Sequence, residues 1–136
     1  MAKKTLSKRA RAKETGAAAK KAAPVGDARA AKIVRPARGE LLTLLDFVRY
    51  AVSRFIEADV AFAHGTTDPV ADAAFLVCET LHLHPDQLEV FASARVTAAE
   101  SAKLLDLIEA RVTTRKPTAY LVNKIYMRGL PFYVDE

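Results

Sequence analysis

Between Glu40 and Ala58 the sequence reads ELLTLLDFVRYAVSRFIEA. Leu41, Leu44, Leu45, Val48, Ala51, Val52, Phe55 and Ile56 recur at steps of three and four residues, which predicts one apolar stripe along a helix. Asp46, Arg49, Arg54 and Glu57 fall mostly outside that stripe. A second helix opens at Asp68-Pro69. The aspartate can accept from free N–H groups of the first turn, and proline fits the first helical position, where no N–H is needed. The pattern runs through VADAAFLVCETLHL to a stop at Pro85. A third helix opens on TAAE, where Thr97 and Glu100 have the spacing of a capping box, and continues through Leu104, Leu105, Leu107, Ile108 and Val112 toward Pro117. Between the second and third, PDQLEVF predicts a short helical turn.

Past Pro117 the texture changes. AYLVNKIYMRGLPFYVDE moves toward alternation and aromatic residues, which predicts strands around a turn at Gly129-Leu130-Pro131. Two strands alone are marginal in water and need a surface to lie on. The predicted fold is therefore mainly α: a small helical bundle over residues 40–116, ending in a β-hairpin over 117–136.

Charge separates a further segment. Residues 1–39 hold 12 of the 21 Lys/Arg but 2 of the 16 acids, a net of +10; the other 9 bases and 14 acids leave residues 40–136 at −5. The tail is almost all Ala, Lys and Arg, with Leu6, Val25, Ile33 and Val34 as its only bulky aliphatics. Such a chain buries too little apolar surface to offset its ordering entropy, so it is expected to be disordered in isolation. Two readings of it stay open: a phosphate-seeking arm that binds RNA or DNA through charge, and a solubilising extension. An organelle transit peptide fits less well, given the single Ser7 and the many lysines.

Candidate chemistry is sparse. The single cysteine, Cys78, rules out an internal disulfide and suits a reducing cytoplasm. No apolar run approaches the ~20 residues of a membrane span, and no secretory signal opens the chain. Cys78 and His82 stand four apart, as two ligands on one helical face would, yet no second pair at metal spacing accompanies them, and ordinary packing and surface roles read better. Ser53 and Ser101 lie inside helices without a glycine elbow, and the five glycines are too scattered to cradle a nucleotide. Asp72, Glu79 and Asp106 read as solvated helix faces. No self-sufficient active site emerges. The loop AHGTTDP is more unusual: helix punctuation accounts for Gly65, Asp68 and Pro69 but leaves His64, Thr66 and Thr67 for contact with a partner.

Taken together, YAVSRF, FAHGTTDPVADAAFLV and RKPTAYLVNKIYMRGLPFYVDE resemble the N-terminal region of the protein-glutamine N5-methyltransferases that modify ribosomal protein L three, the PrmB branch of the HemK family. The resemblance covers nearly all of residues 41–136 and none of the tail. Related release-factor methyltransferases usually carry glycine just after the Ala-Tyr-hydrophobic step, where this chain has Asn123-Lys124. The resemblance implies a helical domain joined by a hairpin to a Rossmann-like domain that binds S-adenosylmethionine. It also implies that FYVDE sits at that joint and that the catalytic domain is absent here. The family's Asn-Pro-Pro-Tyr signature, which holds the substrate glutamine, has no counterpart, because the one asparagine, Asn123, is followed by Lys124. No catalytic, cofactor-binding or metal residue is therefore assigned, and S-adenosylmethionine is implied for the full-length enzyme alone.

What carries over is a role in gripping the substrate. A body at −5 suits a basic ribosomal protein, L three, while the tail at +10 suits RNA. The residues expected to touch a partner are His64, Thr66, Asn123 and Lys124. For Asn123 and Lys124 a turn or helix end at the hairpin entrance is an equal alternative. Two other functions remain open at this stage: a free-standing nucleic-acid-associated helical protein with a basic arm, and a small regulatory adapter.

Overall fold

The computed structural model describes residues 34–62 and 66–135. Of the tail 1–39, expected to be disordered and to contact RNA, residues 1–33 lie outside the described residues, as does His64, while residues 34–39 are described, with Arg35 paired to Asp106 and Glu109. The order of elements is α1 (Leu44–Glu57), α2 (Pro69–Thr80), a 3-10 turn (Pro85–Gln87) running into α3 (Leu88–Phe91), α4 (Ala98–Thr114), α5 (Thr118–Leu121), and an antiparallel hairpin of β1 (Lys124–Met127) and β2 (Leu130–Tyr133). The chain is mainly helical with a terminal hairpin, as the periodicity predicts.

Local chemistry sets where the long helices begin. Thr43 caps α1 in a full box: its hydroxyl accepts from the Asp46 N–H, and Asp46 accepts from the N–H of Thr43 at 2.9 Å. The first N–H groups of α1, which have no partner within the helix, are met from outside. Leu44 and Leu45 donate to the carbonyls of Ala94 and Ala92. Asp68 caps α2 by accepting from Val70 N–H at 2.9 Å, with Pro69 in the first turn, and Thr97 and Glu100 close the same box on α4. All three starts use residues whose side chains compete for backbone N–H groups.

Leu44, Phe47, Val48, Ala51 and Phe55 of α1 meet Ala73, Leu76 and Val77 of α2 and Leu104 and Ile108 of α4 in one core. The α1 stripe is rotated from the predicted one. Phe47 is fully buried, whereas Leu45 and Ile56 are 56% and 61% exposed. A larger departure concerns the acids. Asp72 and Glu79, read from the sequence as solvated, are buried, while Asp106 stays exposed and pairs with Arg35. Helical periodicity locates a polar residue on a helix but not which other element approaches that face.

Asp72 is buried because Arg111 reaches it. The Arg111 guanidinium is 1% exposed; its Nε donates to Asp72 Oδ2 at 3.1 Å, Nη2 to the carbonyl of Ala61 at 2.9 Å and Nη1 to that of Arg115 at 3.3 Å. The rings of Phe55 and Phe62 lie 5.7 Å from its central carbon. Arg115, at the left-handed end of α4, sends its own guanidinium to the carbonyls of Ala58 and Asp59 at the close of α1, 3.0 Å each. One end of α4 thus satisfies the carbonyls of the segment leaving α1.

The other departures are local. The second helix ends at Thr80 rather than Leu83, and His82 adopts a positive φ of 59° beyond it. Residues 118–121, read as strand-like, form a helical turn because Pro117 starts it and its carbonyl accepts from Tyr120 N–H. The hairpin turn is Arg128-Gly129, not Gly129-Leu130-Pro131; both residues have positive φ, 52° and 79°, which matches the strand twist in a two-residue turn.

Two outcomes follow. Arg111→Met should lower unfolding free energy by about 3–5 kcal/mol, since it strands a buried carboxylate, and adding Asp72→Leu should recover most of that loss. Urea titration followed by circular dichroism reads both, and a single variant as stable as the parent would refute the assignment. Backbone N–H groups also hold the Asp46 and Glu100 carboxyls below their ordinary values of 3.8 and 4.5. A depressed carboxyl contributes stability above its unfolded value and loses it as pH falls through the folded one. Stability should therefore drop below about pH 4.5, and less steeply in Asp46→Asn/Glu100→Gln.

Candidate functional site

The hairpin does not stand free. Phe75 and Glu79 lie one turn apart on a single face of α2, and Lys124 and Tyr126 lie two apart on β1. Four helical residues advance ~6 Å and two strand residues ~6.7 Å, so the two pairs meet rung to rung. Lys124 Nζ is 2.9 Å from Glu79 Oε2, and the Phe75 and Tyr126 rings meet edge to face at 6.2 Å. The contact with Glu79 raises the Lys124 ammonium above its ordinary range, and the same ammonium lies 5.2 Å from the Tyr126 ring centroid. Glu79 Oε1 is buried without a hydrogen-bond partner, as is Thr118 Oγ1.

Asn123 makes the entry. It takes the left-handed conformation at φ 53°, which asparagine tolerates better than most residues, and its side chain donates to the carbonyl of Val134 at 3.1 Å. Val134 N–H returns a bond to the carbonyl of Asn123 at 3.3 Å. The two ends of the hairpin are thereby clasped.

Between the hairpin and α2 the structure leaves a cleft of about 390 Å³. Ala71, Asp72 and Phe75 of α2 form one wall, and Ala119, Ile125, Tyr126 and Gly129 form the facing one. His84, Pro85 and Asp86 close an end, and Thr66 completes the lining. The His84 ring stands edge to face with Tyr126 at 5.3 Å. His84 Nδ1 lies 3.3 Å from both the Asp86 N–H and Asp86 Oδ2. Among the described residues lining it, the cleft contains carboxylates but no lysine or arginine.

The predicted partner-contact residues divide. Thr66 lines the cleft, and its hydroxyl also accepts from the Asp68 N–H at 3.0 Å, so it helps shape the start of α2. Lys124 borders it through Tyr126, and Asn123 sits at the hairpin entrance. Cys78 and His82 part company, Cys78 wholly buried and His82 exposed past the helix end. Burial pushes the Cys78 thiol up to about 11, with the Glu79 charge adding to the effect. Phe75, His84, Asp86 and Tyr126 were not singled out from the sequence. The matching rises of 75/79 and 124/126 were the signal that could have found two of them.

Residues 48–122 match the family described as PrmC N-terminal domain. The chain belongs to that family. It is 78% identical over 107 residues to a ribosomal protein uL3 glutamine methyltransferase of Bradyrhizobium diazoefficiens, a stretch covering 79% of this chain and 34% of the relative. Enzymes of the same name from Bordetella pertussis and Burkholderia pseudomallei are 49% and 48% identical over 98 and 94 residues, covering 72% and 69% of this chain. The chain spans about a third of the length of these curated relatives, 34%, 33% and 31%. The family's matched segment contains α2, α4 and the whole Pro85–Gln87 turn, and thus most of the cleft.

Lys124→Met should strand the buried Glu79 carboxylate, at a cost of about 1–3 kcal/mol to the docked hairpin. Amide exchange of β1 should then speed up by roughly tenfold or more while α1 is unaffected. Adding Glu79→Leu should restore slow exchange. Unchanged exchange in the single variant would show that the ion pair does not hold the hairpin.

Proposed function

We propose that this chain is the substrate-recognition domain of an S-adenosylmethionine-dependent protein N5-glutamine methyltransferase acting on ribosomal protein uL3, the L three protein. The observation that carries the reading is the 78% identity to a uL3 glutamine methyltransferase over most of this chain. The geometry supports binding rather than chemistry: the cleft is largely apolar, Thr66 and Asp72 are engaged in local structure, and Asp86 is the exposed carboxylate at its rim. The sequence has no Asn-Pro-Pro-Tyr, so methyl transfer belongs to residues outside this chain. S-adenosylmethionine would bind there too. The acidic balance of residues 40–136, −5, favours encounter with a basic ribosomal protein in the cytoplasm. Thr66 and Lys124 border the surface offered to it, and His64 and Asn123 complete the set of contact candidates.

The basic tail, +10 over residues 1–39, supports a second reading as a nucleic-acid-associated protein with a charged arm. One experiment separates the two. The full chain is titrated with purified uL3 and, separately, with ribosomal RNA, in the presence of labelled S-adenosylmethionine. Saturable uL3 binding without methyl transfer is expected, with transfer regained only when the downstream domain is supplied. Methylation by this chain alone would sink the recognition reading. RNA binding without uL3 binding, abolished by deleting residues 1–39, would put the second reading first.

A further inference from the structure

We propose that the cleft beside α2 receives one cationic side chain, arginine above lysine, from the basic protein that this domain engages. The inference rests on the recognition reading above and assigns it a pocket. Three aromatic rings, Phe75, Tyr126 and His84, stand edge to face around the cavity, with centroid separations of 6.2 and 5.3 Å. Such an arrangement offers ring faces to a cation and apolar surface to its methylene stem. The volume, about 390 Å³, lies at the small end of ligand-sized pockets and suits one long side chain with its flanking backbone.

Charge decides the sign of the occupant. Asp72 and Asp86 line the cleft and no Lys or Arg does among the described residues; with Asp72 paired to Arg111, the exposed Asp86 carboxylate leaves the rim negative, which disfavours an anion and draws in a cation. The two carboxylates do not contribute equally. Asp72 is buried and its Oδ2 already accepts from Arg111, whereas the Asp86 side chain is 89% exposed. The charge of Asp72 is matched by Arg111, so Asp86, whose Oδ2 also lies 3.3 Å from His84 Nδ1, supplies the pairing charge. Lys124 rests on Tyr126 as well, but it is not part of the lining, and its charge is matched by Glu79. A guanidinium is favoured over an ammonium because it is planar, stacks on rings and grips a carboxylate with two N–H groups.

The test uses the full chain, a short peptide bearing one arginine between leucines, and its uncharged citrulline twin. The arginine peptide should shift the ring resonances of Tyr126 and His84 and bind roughly tenfold more tightly than the citrulline one. Asp86→Lys, which reverses an exposed charge away from the core, should abolish the difference, while Glu89→Lys, an equal charge change outside the cleft, should preserve it. Equal binding of the two peptides, or an Asp86→Lys variant that behaves like Glu89→Lys, overturns the proposal. Binding of uL3 keeps the two claims apart. If uL3 binds the parent and Asp86→Lys alike, the cleft assignment falls and the recognition reading stands. If the arginine peptide fills the cleft but uL3 does not bind, the cleft stands and uL3 recognition falls.

Discussion

The buried guanidinium of Arg111 is the constraint around which this domain is arranged. Taking such a charge out of water costs several kcal/mol, so it persists only where carboxylate, carbonyls and rings surround it together. Here those partners come from separate elements: Asp72 from α2, the Ala61 carbonyl from the α1–α2 connection, Phe55 from α1 and Phe62 beyond it. None of them can shift without exposing an unpaired group. An apolar residue of similar size could fill the space as stably, yet it would not dictate the direction of approach. The ion pair fixes how α4 enters the α1–α2 pair, and with it the face of α2 left for the hairpin.

That face carries the functional proposals. Asp72, Phe75 and Glu79 follow one side of α2, and Lys124 and Tyr126 meet Glu79 and Phe75 there. A two-stranded sheet gains a surface to lie on, and the gap between the two becomes the cleft. The Lys124–Glu79 ion pair and the ring contacts of Tyr126 with Phe75 and His84 fasten the hairpin, and Asn123 clasps its ends, whereas the bundle beneath it has a continuous core. The cleft proposed for recognition thus lies at the lightly fastened part of a firmly packed domain. Binding sites are commonly drawn from such regions, since adjusting to a partner there costs little.

Much of this was legible in the sequence where one residue type answers one local need. The caps at Asp68 and Thr97, the proline stops and the existence of the hairpin follow from the N–H groups that each site must satisfy. Thr66 stood out as unexplained by helix punctuation and lines the cleft, whereas Lys124, singled out with it, pairs with Glu79 outside the lining. What stayed hidden was pairwise. Asp72 and Arg111 are 39 residues apart, and neither alone signals burial. The exposure of Leu45 and Ile56 depends on which neighbours cover α1, and the helical turn at 118–121 depends on its contacts with α2 and α4. Phe75 and Tyr126 are ordinary aromatics until two elements with matching rise lie side by side.

One further point concerns α2 as a whole. Of its twelve residues, Asp72, Ala73, Leu76, Val77, Cys78 and Glu79 are buried, some against the core and others against α5 and the hairpin. The helix is used on two sides at once. Most substitutions toward its C-terminal end would disturb the bundle, the docking of the hairpin, or both. Its latitude for substitution is therefore narrow, and there is more freedom in the Pro85–Gln87 turn, which shapes the cleft and buries none of its residues. Change can enter at the rim while the spine is held still.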